Sequence, residues 1–228
     1  MCIYRAKEGE ENDSFKEARS SNTRRPPGNV PYVVDNLWEW TRPEKFPDRR
    51  KSKFASPAPE QALRSAVLPE DAYEHVFRIE FVGDPIIAQL PGVEDAKQHP
   101  DCTRSSPNSD IYKHTRKDPD SPHLRRVLFK KLGGKFTWSS KERRDKRPAS
   151  ELFQPCLTAE EVETILDESD EIKPSDKDDL RDSVSYWDDL ELIGPENLAN
   201  EQKGEILFEF RYPDDGDGYW RRSAEDGC

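Results

Sequence analysis

The chain has 228 residues, with 36 Lys+Arg against 47 Asp+Glu, a formal net charge of −11 and 36% of residues charged. Leu, Ile, Val and Phe together number 44, just under the fraction of about one fifth below which highly charged chains usually stay disordered. Five Trp, seven Tyr and ten Phe reverse that expectation, because aromatic rings bury large areas and disordered segments are poor in them.

The composition therefore predicts a modest aromatic-rich core carrying long polar loops, which the 19 prolines suit. The expected organisation is a single domain over residues 1–228, with a polar loop at 8–29 and a basic excursion at about 97–148. No apolar run approaches the roughly 20 residues of a membrane helix, and Met1 to Arg5 opens without the apolar stretch of a signal peptide. The expected setting is a reducing cytoplasm without membrane partners, and delivery into a target cell would need a signal-peptide-independent route. Cys2, Cys102, Cys156 and Cys228 are scattered and form no CxxC, so neither zinc nor a disulfide framework is indicated.

In chain order, a first strand carries Tyr4-Arg5, and Glu8 to Pro27 is a polar loop closed by Arg24-Arg25-Pro26-Pro27. Val30 to Trp40, dense in β-branched and aromatic residues, is expected as strand passing into a short helix. Phe54-Ala55-Ser56 ends a short strand, and Pro57 to Val67 follows as a helix for which Ser56 is a suitable N-cap. From His75 to Val82 the alternation puts His75, Phe77, Ile79 and Phe81 on one strand face. Gln89 to His123, rich in Pro, Asp and Ser, is expected as a long excursion. Thr158-Ala-Glu-Glu161 is a capping-box pattern opening a helix with Val162, Ile165 and Leu166 inward. Tyr186-Trp187 is expected to pack beneath an acidic loop. Finally Glu205 to Phe210 (EILFEF) is a strand with Ile206, Phe208 and Phe210 on one face and Glu205, Leu207 and Glu209 on the other. This sequence of elements predicts an α+β fold with small mixed or antiparallel sheets, flanking helices and long charged loops.

Charge is segregated. Leu157 to Gln202 holds 16 acidic and 3 basic residues, whereas Ile111 to Pro148 holds 13 basic and 4 acidic ones, and Arg49-Arg50-Lys51-Ser-Lys53 forms a smaller basic knot. Clustered cations suit a phosphate-bearing partner; they also suit solvated loops or an acidic segment of the same chain. The four histidines lack metal-ligand spacing, Gly133-Gly134 lacks the residues of a phosphate loop, and Asp214 to Gly218 lacks the closing glutamate of a calcium loop.

An arginine in the first strand (Arg5), a serine at a strand end (Ser56) and a glutamate in what is expected as the last strand (Glu205) occur in an order that resembles the ADP-ribosyltransferase superfamily, in its cholera-toxin-like branch. That branch has an arginine, a Ser-x-Ser strand and a terminal-strand glutamate; here Phe54 and Ser56 occupy the ends of the Ser-x-Ser element. The run from Pro31 to Leu63 is also similar to the N-terminal half of bacterial toxin domains of this type. The resemblance implies NAD as substrate, with Arg5 gripping its pyrophosphate by forked hydrogen bonds and Glu205 stabilising the oxocarbenium-like ribose as nicotinamide leaves. It implies that Ser56 fixes the glutamate and that Tyr32 or Trp38 stacks on nicotinamide.

Lys203 stands where arginine-modifying members carry a second acidic residue, and Glu209 is a rival for the catalytic position. The implied acceptor is a protein or nucleic acid, and the implied partners are an immunity protein or a chaperone. Beside this stand other readings. The same site serves an NAD-hydrolysing toxin; Arg5 and Glu205 are ordinary edge and solvated strand residues; or the chain is a non-enzymatic acidic binding or immunity protein that presents its carboxylates to a basic partner.

Overall fold

The computed structural model describes residues 3–8, 16–17, 30, 32–65, 74–102, 156–170, 172–194, 204–210 and 219–223. Outside them lie the basic part of the excursion from 103 to 148, with His114 and His123, nearly all of the 8–29 loop, Gly133-Gly134 and Asp214 to Gly218; the side chain of His75 is likewise not described. Among the described residues there are four α-helices, α1 (Tyr32–Thr41), α2 (Pro59–Ser65), α3 (Ala159–Asp167) and α4 (Pro174–Asp182), and a short 3-10 helix at Ala96–Gln98. The strands are β1 (Ile3–Glu8), β2 (Lys16–Glu17), β3 (Lys53–Ala55), β4 (Glu74–Val82), β5 (Ile86–Pro91), β6 (Glu191–Leu192), β7 (Gly204–Glu209) and β8 (Tyr219–Ser223). The fold is α+β, and every strand pair among these residues is antiparallel.

The chain divides into two compact units. The first is Met1–Thr23, Glu44–Asp95 and Asp189–Cys228. It holds two four-stranded sheets, ordered β1-β4-β8-β2 and β3-β7-β5-β6. Their shared core is built from alternate residues of each: Ile3, Phe77 and Ile79 from the first sheet, Ile87, Ile206 and Phe208 from the second, with Phe210 just beyond β7. The ring of Phe81 meets Phe208 edge-on at 4.9 Å. The chain passes from β4 to β5 through Gly83, whose φ of +96° is a conformation that glycine adopts without steric cost. α2 packs on β1 and β4 and buries Gln61 and Ala62.

The alternation read from β4 and from EILFEF is realised, but Gln89 is not the start of an excursion. Gln89, Leu90 and Pro91 complete β5, paired with β7 at Gln89↔Ile206, Leu90↔Glu205 and Pro91↔Gly204. The Pro- and Asp-rich residues that follow obscure an apolar IIA run with strand spacing.

The second unit is Arg24–Pro43 and Ala96–Asp188, and its described elements are helical. α1 replaces the strand-to-helix passage expected over Val30 to Trp40. Val33, Val34, Leu37 and Trp38 are all buried, and their i, i+4 spacing forms one helical face, which outweighs the weak strand preference of two valines. α1 packs on α3, whose start matches its pattern: Thr158 Oγ1 accepts from the Glu161 N–H at 3.1 Å and the Glu161 carboxylate accepts from the Thr158 N–H at 2.8 Å. The aromatic pair 186–187 is buried as expected. Tyr186 stacks on Trp38 with centroids 3.9 Å apart at 18°, and Trp187 Nε1 donates to the Trp38 carbonyl. Among the described residues no helix is long and apolar enough to cross a membrane.

Candidate active site

Three of the four residues expected at the site lie in the first unit, on backbone that the sheet pairing brings together. Tyr4 and Ser56 exchange two backbone hydrogen bonds, Tyr4 N–H to the Ser56 carbonyl and Ser56 N–H to the Tyr4 carbonyl, each 2.8 Å. This bridge ties β1 to the end of β3 and places Arg5 one residue from Ser56's partner. β3 in turn pairs with β7 at Ala55↔Ile206. Continued by one residue, that antiparallel register sets Ser56 across from Glu205.

Ser56 is buried and is not the helix cap. α2 begins at Pro59, and its first helical bond runs from the Ala62 N–H to the Ala58 carbonyl at 3.0 Å, so Ala58 takes the cap position and Ser56 belongs to the strand pairing. Arg5 is half-buried on β1, an edge strand of its sheet, at the register position facing Phe77.

Glu205 is not a solvated residue on an open polar face. Glu205, Leu207 and Glu209 point away from the aromatic core, yet all three are buried, Glu205 at 5% exposure. The segment Phe46 to Ser52 lies against the two glutamates. Its turn is closed by Asp48, whose Oδ1 accepts the Arg50 N–H at 2.8 Å and whose carbonyl accepts both the Ser52 N–H and the Ser52 Oγ–H; such side-chain-to-backbone bonds are what make Asp a turn former. The Asp48 N–H donates to Glu209 Oε2 at 2.7 Å, and Arg49 Nη1 donates to Glu205 Oε1 at 3.1 Å. The Arg49 guanidinium also lies over the Phe54 ring, 5.1 Å from its centroid.

Arg49 and Arg50 are therefore buried, and the basic knot at 49–53 is not a solvated cationic patch. Arg49 and Gln61 are the residues that reading the sequence missed. Arg49 belongs to that basic knot, and its carboxylate lies 156 residues away. Gln61 lies on α2, in a stretch expected only as a helix capped by Ser56. Its amide Nε2–H donates to the Gly204 carbonyl at 2.6 Å and its Oε1 accepts the Gly204 N–H at 3.2 Å, which fixes the residue immediately before Glu205.

Tyr32 is the first residue of α1, in the second unit. Trp38 belongs to that unit's core: it is fully buried and its Nε1–H donates to Asp101 Oδ2 at 2.8 Å. Asp101 also accepts from Ser185 Oγ and the Tyr186 N–H, and its Oδ2 lies 3.6 Å from His99 Nδ1. Burial pushes the Asp101 carboxyl above its ordinary 3.8, against the opposing pull of His99 and of the hydrogen bonds from Trp38, Ser185 and Tyr186. Among the described residues no group of three His, Cys, Asp or Glu could hold a metal ion.

No protein-family model matches the chain, and no curated protein or solved structure matches it significantly.

Proposed function

We propose that the chain is an NAD-dependent ADP-ribosyltransferase-type enzyme, of the toxin or effector kind, that transfers ADP-ribose to a macromolecular acceptor. What supports this reading is the pairing of β1, β3 and β7, which draws Arg5, Ser56 and Glu205 from distant parts of the chain onto neighbouring strands. The residue types suit the chemistry. Arg5 offers a planar fork for the pyrophosphate oxygens. Glu205 offers negative charge to a ribose that becomes cationic as the nicotinamide bond breaks. Ser56 fixes the strand end beside the carboxylate. Tyr32, at the start of α1, keeps the role implied for it, stacking on the nicotinamide ring.

The burial of Glu205 sets a condition: NAD must open a path to it.

The test is nicotinamide release from NAD by the full chain. Glu205→Gln should lower the rate by about 100-fold or more, and Arg5→Lys should raise KM for NAD with a smaller change in kcat. Absence of release, together with no shift of the melting temperature by NAD, would sink the enzyme reading. An unchanged rate in Glu205→Ala would move the site to another carboxylate. Label recovered on an acceptor rather than as free ADP-ribose separates transfer from hydrolysis.

A second reading is favoured by one observation: Asp178, Asp179 and Asp182 on α4, with Asp188 and Asp189 beyond it, are exposed. In this reading the chain is a non-enzymatic binding protein that presents those carboxylates to a basic partner. Partner binding that survives Glu205→Gln, but falls steeply with salt, would select it.

A further inference from the structure

A carboxylate asked to stabilise a growing positive charge has to be ionised and has to point one way. Burial opposes the first, because a charged group taken from water reverts to its neutral form unless a cation lies close. Arginine suits that role, since it stays protonated throughout the working pH range and its planar group fixes direction as well as charge.

We propose that Arg49 is the positioning residue for Glu205, keeping it ionised and fixed in direction, and that Glu209 anchors the segment carrying Arg49; this rests on the enzyme reading above. Arg49 Nη1 and Glu205 Oε1 are 3.1 Å apart, with both side chains less than a tenth exposed. The guanidinium lies over Phe54, which belongs to β3 and pairs with Leu207 of β7. The platform and the carboxylate are thus parts of one ladder and keep their spacing together. The backbone just before Arg49 is tied to that ladder as well, through the bond from the Asp48 N–H to Glu209. Two carboxylates on the same face of β7 therefore divide the work. Glu205 takes the charge, while Glu209 is a structural acceptor rather than a rival catalytic residue.

The experiment is the pH dependence of nicotinamide release by the full-length wild type, R49Q, R49K, E205Q and E205Q/R49Q. R49Q should lower kcat by about 10- to 100-fold with KM for NAD within about threefold, and should move the acidic limb of kcat/KM upward by about one pH unit or more. R49K, which keeps charge but loses the fork, should keep the acidic limb near that of the wild type and recover part of kcat. In the E205Q background, R49Q should add no further loss, because a residue that acts through another has nothing left to act on.

Coincident acidic limbs in wild type and R49Q, or an additive loss in the double variant, would overturn the role of Arg49 while the enzyme reading stands. A wild type that releases no nicotinamide overturns both. Should R49Q fail to fold, R49K decides: a lowered kcat with an unmoved acidic limb supports the proposal, and an unchanged kcat overturns it.

Discussion

The side-chain amide of Gln61 closes on Gly204 from both sides, donating to its carbonyl at 2.6 Å and accepting its N–H at 3.2 Å. A helix side chain here takes the place of a neighbouring strand at the start of β7, one residue before Glu205. Gln61→Ala would leave two buried backbone groups unpaired, each at about 1–3 kcal/mol, so a loss of about 2–6 kcal/mol is expected in urea unfolding. Gln61→Glu should be no milder despite its similar shape, because an ionised carboxylate cannot donate to the Gly204 carbonyl.

Gly204 is constrained as well as bonded. Its φ is +153°, and a Cβ built there would lie 2.8 Å from the Leu90 carbonyl oxygen and 2.9 Å from Gln89 Nε2. The first of these is paired backbone and cannot step aside without breaking β5 from β7. Gly204→Ala should therefore destabilise by more than about 2 kcal/mol, and the extent is read from the unfolding midpoint. A midpoint within error of the wild type would mean that β5 yields at this point.

Asp101 predicts a pH dependence local to the second unit. Burial holds its carboxyl above the ordinary 3.8, so between 3.8 and the raised value the folded protein binds more proton than the unfolded chain. Stability should then fall as pH rises through that window and level off above it. Trp38 and Trp187 lie in the same unit, Trp38 bonded directly to Asp101, so tryptophan fluorescence during urea unfolding reports the slope. Asp101→Asn, which keeps one acceptor for Trp38 and Tyr186, should flatten it.

Glu163 predicts the opposite slope. Hydrogen bonds from Lys177, then from Trp40, hold its carboxyl below the ordinary 4.5, and Arg181 adds to the effect. The unfolded chain binds more proton just below 4.5, so stability is gained above that value and lost as pH falls through the lowered one. Glu163→Gln should remove this acid-side loss. Because the cluster is partly exposed to solvent, salt at 1 M should shrink the difference between the two proteins. Lys177 responds at the other end of the scale. Bonds to Asp167, then Glu163, raise it above 10.5, so its contribution is present below 10.5 and is lost as pH climbs through the raised value.

What could be read from the sequence was whatever depends on near neighbours. The alternation in β4, the apolar face of EILFEF and the capping box at Thr158 are patterns of two to four residues, and each is realised. At the start of α1 the β-branched residue types favour a strand, whereas their spacing decides for a helix. A local capping rule assigns Ser56 to the following helix, while its actual partner, Tyr4, is 52 positions away. The buried polar face of β7 was illegible for the same reason: no local pattern says that Asp48 and Arg49 will cover Glu209 and Glu205. The chemistry-bearing residue types could be picked out from their order, but their surroundings could not.

The interleaving of β7 between β3 and β5 also bears on how the molecule is made. Arg49 leaves the ribosome long before Glu205, 156 residues later, and the intervening stretch includes most of the second unit. Until β7 emerges, β3 and β5 have no shared neighbour and the second sheet cannot close, whereas the residues of the other unit's core, Trp38 and Trp187 among them, are by then already translated. Pairings this distant fold slowly and tend to be completed last. During synthesis the candidate site is therefore assembled after nearly everything else, and a nascent chain halted before residue 204 would carry Arg5 and Ser56 but no carboxylate to serve them.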